Sequence, residues 1–222
     1  MVDGLSDTYF ETGTDADLCS FVLSVGPYEL LYAYDNRQTS IHLHEAEPVS
    51  QKVTHYALIA DHGQVVLRNE LARLLQCETV EIHKDERGRP LFLDNDNDVN
   101  WSHSGELIAV AWSSTKRVGV DIEKIRPRDG WLRIAGRFFA ESEVADLENQ
   151  NSLIAFLQLW CLKEAVMKAH GHGISYGLEK VVFEWRDGWQ LQTLPEDMGT
   201  GWHAELIDVP EGYVGALAWR DR

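Results

Sequence analysis

The stretch Val118–Glu123, VGVDIE, places two acids in what reads as a buried strand. Side chains alternate along a strand. Val118, Val120 and Ile122 therefore point one way, and Gly119, Asp121 and Glu123 the other. The apolar side can pack on a core. The other side sets two carboxylates one pleat repeat apart, roughly 6.5–7 Å along the backbone. Like charges at that spacing repel, so water, a basic partner or a cation has to compensate.

Just upstream, LIAVAWS (Leu107–Ser113) reads as a strand, and STKR turns the chain into VGVDIE, which predicts a hairpin. Before it, NWSHSGE (Asn100–Glu106) reads as a polar loop with His103 between two serines. A histidine there is a turn residue or a donor to a phosphoryl oxygen. Downstream, WLRIAGRFF and ESEVADLE read as helical, and NSLIAFLQLWCLKEAVMKAHG is the clearest helix, started by Asn151 or Ser152 and ended by Gly171.

In that helix Trp160, Glu164 and Lys168 recur every four residues and share a face. Glu164 can be an ordinary surface acid paired with Lys168. If it instead joins Asp121 and Glu123, three carboxylates converge, a donor set suited to Mg²⁺, which prefers oxygen ligands and commonly meets substrate phosphate. Lys168, one turn on, then offers a positive donor to that phosphate.

Elsewhere, FVLSVGPYELLYAYD reads as two short strands around Gly26-Pro27. THYALIADHGQVVLRNELARLLQC holds a helix in its second part, with Val65, Val66, Leu71, Leu74 and Leu75 as its apolar stripe. Residues 79–83 (TVEIH) suggest a strand, KDERGRP a turn, and LDNDNDVN a loop that lacks the central Gly and distal Glu of a calcium site. VVFEW, GWQLQTL, WHAELIDV and YVGALAWR read as strands.

The chain has 222 residues, 44% of them hydrophobic, enough for one large domain or two small ones. No run reaches the eighteen apolar residues of a membrane span. The acidic N-terminus lacks the basic and apolar regions of a secretory signal. Cys19, Cys77 and Cys161 fit neither a disulfide framework nor a zinc site, which suits a cytoplasmic protein. A net charge of −16 argues against nucleic-acid binding. From Lys116 to Arg137, however, seven bases face three acids. That local basic face is either a solvated surface or the seat of an anionic partner.

Four segments occur together and in order: GRP (Gly88–Pro90), NWSHSGE, VGVDIE and WCLKEAVMKAHGHG (Trp160–Gly173). In this the chain resembles the Sfp-type 4′-phosphopantetheinyl transferases, over a stretch from about Arg68 to Ser175. The resemblance implies an α+β fold of two similar halves, 1–117 and 118–222, related by a pseudo-twofold axis. It also implies a monomeric enzyme that moves the phosphopantetheine arm of coenzyme A onto a serine of an apo acyl or peptidyl carrier protein, releasing adenosine 3′,5′-bisphosphate. By the same resemblance Asp121, Glu123 and Glu164 match Mg²⁺ ligands, with Glu164 also the proposed general base. His103 and Lys168 match phosphate contacts and stand with Glu164 as candidate catalytic residues. Gly88, Arg89 and Ser102 fall in the cofactor-binding segments, and Arg68 matches an arginine that helps hold the 3′-phosphate. Arg89 replaces the usual lysine of that motif, keeping the charge but changing the donor geometry. The resemblance gives the basic window a meaning as the docking face of an acidic carrier protein. A Mg²⁺-dependent phosphohydrolase or nucleotidyl transferase, or a non-catalytic carrier-binding homologue, is the competing reading.

Overall fold

A computed structural model describes residues 18–25, 28–35, 55–60, 68, 71–72, 78–92 and 97–222. Strands β1 (Leu18–Val25), β2 (Tyr28–Asp35) and β3 (His55–Ala60) come first, then a short hairpin, β4 (Ile82–Lys84) and β5 (Pro90–Phe92). Strands β6 (Asp98–Ser104) and β7 (Leu107–Ser113) follow, and the first sheet has the order β1-β2-β3-β7-β6. Its pairs are antiparallel except β2 with β3. Strand β8 (Lys116–Lys124) follows. Helices α1 (Trp131–Phe138), α2 (Glu141–Gln150) and α3 (Leu153–His170) come next. A hairpin of β9 (Val182–Trp185) and β10 (Trp189–Thr193) precedes β11 (His203–Ile207) and β12 (Tyr213–Asp221). The second sheet is antiparallel, in the order β11-β12-β8.

The α+β class read from the sequence is what these residues show: sheets, with the three fully described helices following the last strand of the first sheet. The helices are made by local signals. Ser152 accepts a hydrogen bond from the Ala155 amide at 3.2 Å and starts α3. Gly171, at φ 89°, ends it in the left-handed conformation, its amide donating to the Met167 carbonyl. Between the caps α3 is apolar nearly all round, the mark of a helix enclosed by its neighbours.

What encloses it follows from alternation. Gly119, Asp121 and Glu123 of β8 pair with Ala218, Ala216 and Val214 of β12, and this face lies under α3. A Cβ on Gly119 would stand 2.1 Å from the Ala165 carbonyl oxygen and 2.4 Å from the Ala169 amide nitrogen. Helix and strand therefore meet backbone to backbone at that residue. On the opposite face Val118, Val120 and Ile122 share an apolar cluster with Leu107, Ala109 and Ala111 of β7. The second sheet is thus a middle layer between α3 and the first sheet.

Several sequence expectations are corrected by this arrangement. Strands β7 and β8 are not a hairpin: the chain turns at Ser114 and Thr115 and crosses from one sheet to the other. NWSHSGE is not an entry loop, because Asn100–Ser104 belong to β6, which begins at Asp98 inside the run read as a loop. The first part of THYALIA is β3, which pairs with β7. TVEIH yields a strand only from Ile82. Between β3 and β4, Arg68, Leu71 and Ala72 of the expected helix are in helical backbone, with Leu71 buried; Val65, Val66, Leu74 and Leu75 lie outside the described residues. Among the described residues no helix is long and apolar enough to cross a membrane.

Candidate active site

Alternation on β6 decides where the site forms. Asp98, Asn100, Ser102 and Ser104 share one face with Leu107, Ala109, Ala111 and Ser113 of β7. The β7 column packs on the apolar face of β8. The β6 column reaches the β8 edge, where no strand pairs among the described residues. There Asp98 Oδ2 accepts from the Val118 amide at 2.7 Å, Asn100 Oδ1 from Val120 at 3.0 Å, and Ser104 Oγ from Lys124 at 3.0 Å. Side chains of one strand do for the other what a backbone ladder would do, and satisfy buried donors.

The same column touches both acids. Ser102 Oγ donates to Asp121 Oδ1 at 2.6 Å, and Ser104 Oγ donates to Glu123 Oε2 at 3.0 Å. From the other side, α3 brings Glu164 and Lys168 over β8. Lys168 Nζ donates to Asp121 Oδ1 at 2.6 Å. Asp121 and Glu164 are 5% and 8% exposed, and among the described residues Asp121 Oδ2 and Glu164 Oε1 are buried without a hydrogen-bond partner. An unpaired carboxylate oxygen in a protein interior is costly, and here two occur in one place.

Helix and strand are close enough for their charges to interact. The Glu164 carboxyl is pushed up to about 7, first by burial, then by Asp121 and more weakly by Glu123, with Lys168 opposing. The Cys161 thiol, one turn before Glu164, is pushed well up by burial and by the same two acids, and donates to the Val214 carbonyl. It is an inert core residue. Among the described residues no three His, Cys, Asp or Glu side chains close on one point at ligand distance. Three acids and one ammonium share the region, with Lys168 providing the nearest compensating charge.

The chain was compared with known proteins. The 4′-phosphopantetheinyl transferase superfamily matches residues 117–218. The transferase Sfp of Bacillus subtilis strain 168 is 31% identical over 161 residues, 70% of this chain and 70% of its own. The Bacillus subtilis transferase ffp is 36% identical over 164 residues, again 70% of each chain. The transferase AcpT of Salmonella typhi is 38% identical over 113 residues, 49% of this chain and 56% of its own. This chain belongs to the 4′-phosphopantetheinyl transferase family.

In this family member the structure brings together Asp121, Glu123, Glu164, Lys168 and Ser102. It does not bring His103 to them. His103 is exposed on β6 and alternates away from Ser102 and Ser104, so it faces the other side of the first sheet from the acids. Gly88 is exposed in a turn, at φ 84°, its amide donating to the Asp85 carbonyl at 2.9 Å. Arg68 is exposed.

Arg89 differs most from its expected position. Its side chain is 5% exposed and its guanidinium is committed to the protein itself. It donates to the Lys168 carbonyl, to Asp98, and to the Val118 carbonyl at 2.8 Å. Arg117 Nε adds a bond to the Ala169 carbonyl at 3.4 Å. Two arginines thus cap the last carbonyls of α3, a favourable place for cations.

Sequence reasoning passed over Asp98, Ser104 and the role of Gly119, and read Arg117 only as one cation of the basic window. The signal for the first two was present: DVNWSHS has a short polar residue at every second position, the pattern of one strand face.

Proposed function

We propose that this chain transfers the 4′-phosphopantetheine arm of coenzyme A to a serine of an apo acyl or peptidyl carrier protein. The observation that carries this reading is the pair of unpartnered, buried carboxylate oxygens on Asp121 and Glu164, beside the Lys168 ammonium. Such oxygens fit a hard divalent cation, and Asp121, Glu123 and Glu164 are the residues that would hold Mg²⁺. Bound there, Mg²⁺ would neutralise charge on the pyrophosphate as it is cleaved.

The remaining chemistry belongs to the protein. A general base works best with a pKa near the working pH, and in the metal-free chain Glu164 reaches about 7. It accepts the proton of the carrier serine, directly or through water. The serine oxygen bonds to the phosphorus of the phosphopantetheine arm. The phosphoanhydride bond breaks, and adenosine 3′,5′-bisphosphate leaves. Lys168 holds charge on a phosphate oxygen. Arg89, as placed, supports α3 rather than offering its guanidinium to coenzyme A. His103 and Arg68 remain proposed contacts of the cofactor.

Residues Lys124, Arg126 and Arg128 line a cavity of about 90 Å³ together with Glu123, Ser104 and Leu157. These cations come from the basic window of an otherwise acidic chain. They suit the approach of an acidic carrier protein to the acid cluster. The reading has the chain act as a cytoplasmic monomer, divided near residue 117, with neither nucleic acid nor membrane as partner.

The test is direct. The protein is incubated with coenzyme A, Mg²⁺ and an apo carrier protein, and the intact mass of the carrier is measured. The expected result is a gain of one phosphopantetheine arm. Phosphate release without carrier modification would instead establish a phosphohydrolase. Carrier binding with neither reaction would establish a non-catalytic homologue. Glu164→Gln should abolish transfer while the fold persists; sustained turnover would remove Glu164 from the proton-accepting role.

A further inference from the structure

Ser102 and Ser104 do more than line the junction between the sheets. Each donates to one oxygen of one acid: Ser102 to Asp121 Oδ1 at 2.6 Å, Ser104 to Glu123 Oε2 at 3.0 Å. A hydroxyl has one proton to give. Ser104 Oγ accepts from the Lys124 amide at 3.0 Å, so its proton is free to go to Glu123. That amide lies on the same strand as Glu123, one residue on. The link is therefore short and closed: backbone of β8, hydroxyl of β6, carboxylate of β8.

The turn after Ser104 is itself held in place. Gly105 has φ 61°, and a Cβ there would stand 2.7 Å from both Lys124 Cδ and the Tyr213 hydroxyl. Lys124 Nζ donates to Glu106 Oε2 at 2.5 Å, and the Tyr213 hydroxyl donates to the same oxygen at 2.7 Å. At the other end of β6, Asp98 holds the Val118 amide and the Arg89 guanidinium. The β6 column is anchored at both ends, so its hydroxyls have fixed positions relative to the β8 acids.

We propose that Ser102 and Ser104 are positioning residues that select which oxygen of each acid faces the cation. Ser102, with Lys168, occupies Oδ1 of Asp121 and leaves Oδ2, the buried oxygen that has no partner among the described residues. Ser104 occupies Oε2 of Glu123 and leaves the other oxygen for ligand duty. Hydrogen bonds that orient ligating carboxylates commonly carry a large share of metal affinity. This proposal rests on the reading of Asp121, Glu123 and Glu164 as the divalent-cation site.

The test measures binding of Mn²⁺ alone to the full chain by calorimetry, with no coenzyme A or carrier protein present. Ser102→Ala and Ser104→Ala are each expected to weaken Mn²⁺ binding about tenfold. Ser104→Thr, which keeps the hydroxyl on a strand that tolerates branching, is expected to restore it. A merely structural role would lower the melting temperature and leave the affinity of the folded protein unchanged. Wild-type affinity in both alanine variants would overturn the proposal, as would an Ala variant and a Thr variant that are equally weak. If Ser104→Ala does not fold, Ser102→Ala decides alone. A wild-type chain that binds no Mn²⁺ would overturn the metal reading itself, and the two failures are distinguished by which protein fails to bind.

Discussion

Glu164 holds its proton to about pH 7 because it is buried and because Asp121 and Glu123 stand near it. Its folded pKa lies above the unfolded value of 4.5. Between those values the folded chain binds more protons than the unfolded one, so this residue makes stability fall as pH rises through that window. Thermal melts of metal-free protein should show the fall, and Glu164→Gln should flatten it. A divalent cation should raise the melting temperature more at pH 7.5 than at pH 5.5, because at the lower pH it competes with a proton. At Gly119 the constraint is steric. Alanine there would drive a methyl into the Ala165 carbonyl, for which neither backbone has room. Overpacking of this kind costs about 3 kcal/mol, and urea unfolding of Gly119→Ala should show a loss of that order. Gly119 was visible in the sequence only as a member of the acid-bearing face. That it is the contact point of α3 depends on a residue almost fifty positions away, which no local pattern contains.

At the scale of elements, α3 is where local signals and long-range demands agree. Its caps, length and apolar run were readable in the sequence because each depends on neighbours within a few residues. Its buried ion pair was not. Lys163 Nζ reaches Glu143 of α2 at 2.7 Å and the carbonyls of Leu178 and Val181, and both side chains are fully buried. Glu143 also accepts from the amides of Phe183 at 2.8 Å and Ala140 at 2.8 Å. Four segments therefore meet on one carboxylate and one ammonium. Lys163→Ala would strand Glu143 in the core and should cost roughly 3–5 kcal/mol. Pairing it with Glu143→Leu should recover part of that loss in the same denaturation measurement. Strand β6 shows the opposite failure of legibility. Its alternation was present, but Asp and Asn are common in turns, so a strand that uses them to serve its neighbour's edge looks like a loop. The β7–β8 hairpin was a reasonable expectation from adjacency, and it failed because β7 packs its side chains on a face of β8 instead of bonding to its edge.

Across the whole molecule, charge is unevenly distributed. The chain carries −16 overall, yet Arg126, Arg128, Arg133 and Arg137 are exposed between β8 and the end of α1. Such a face speeds encounter with an acidic partner and loses its influence as salt rises. Carrier modification should slow with added salt. Reversing Arg133 and Arg137 to Glu should raise the KM for carrier several-fold and weaken the salt dependence, with the KM for coenzyme A unchanged. Equal salt dependence in the variant and the parent would place docking elsewhere.

The crossing at Ser114 and Thr115 has a practical corollary. These two exposed residues join the sheets, and Ser113 Oγ accepts from the amides that follow, Thr115 at 3.3 Å and Lys116 at 3.0 Å. Nicking the backbone there would sever one covalent tie while leaving the hydroxyls of one fragment facing the carboxylates of the other. The second piece would keep the carboxylates and Lys168, and the first would keep the hydroxyls that bond to those carboxylates. Fused to two test proteins, the pair should behave as a split reporter, gaining turnover only when its hosts associate.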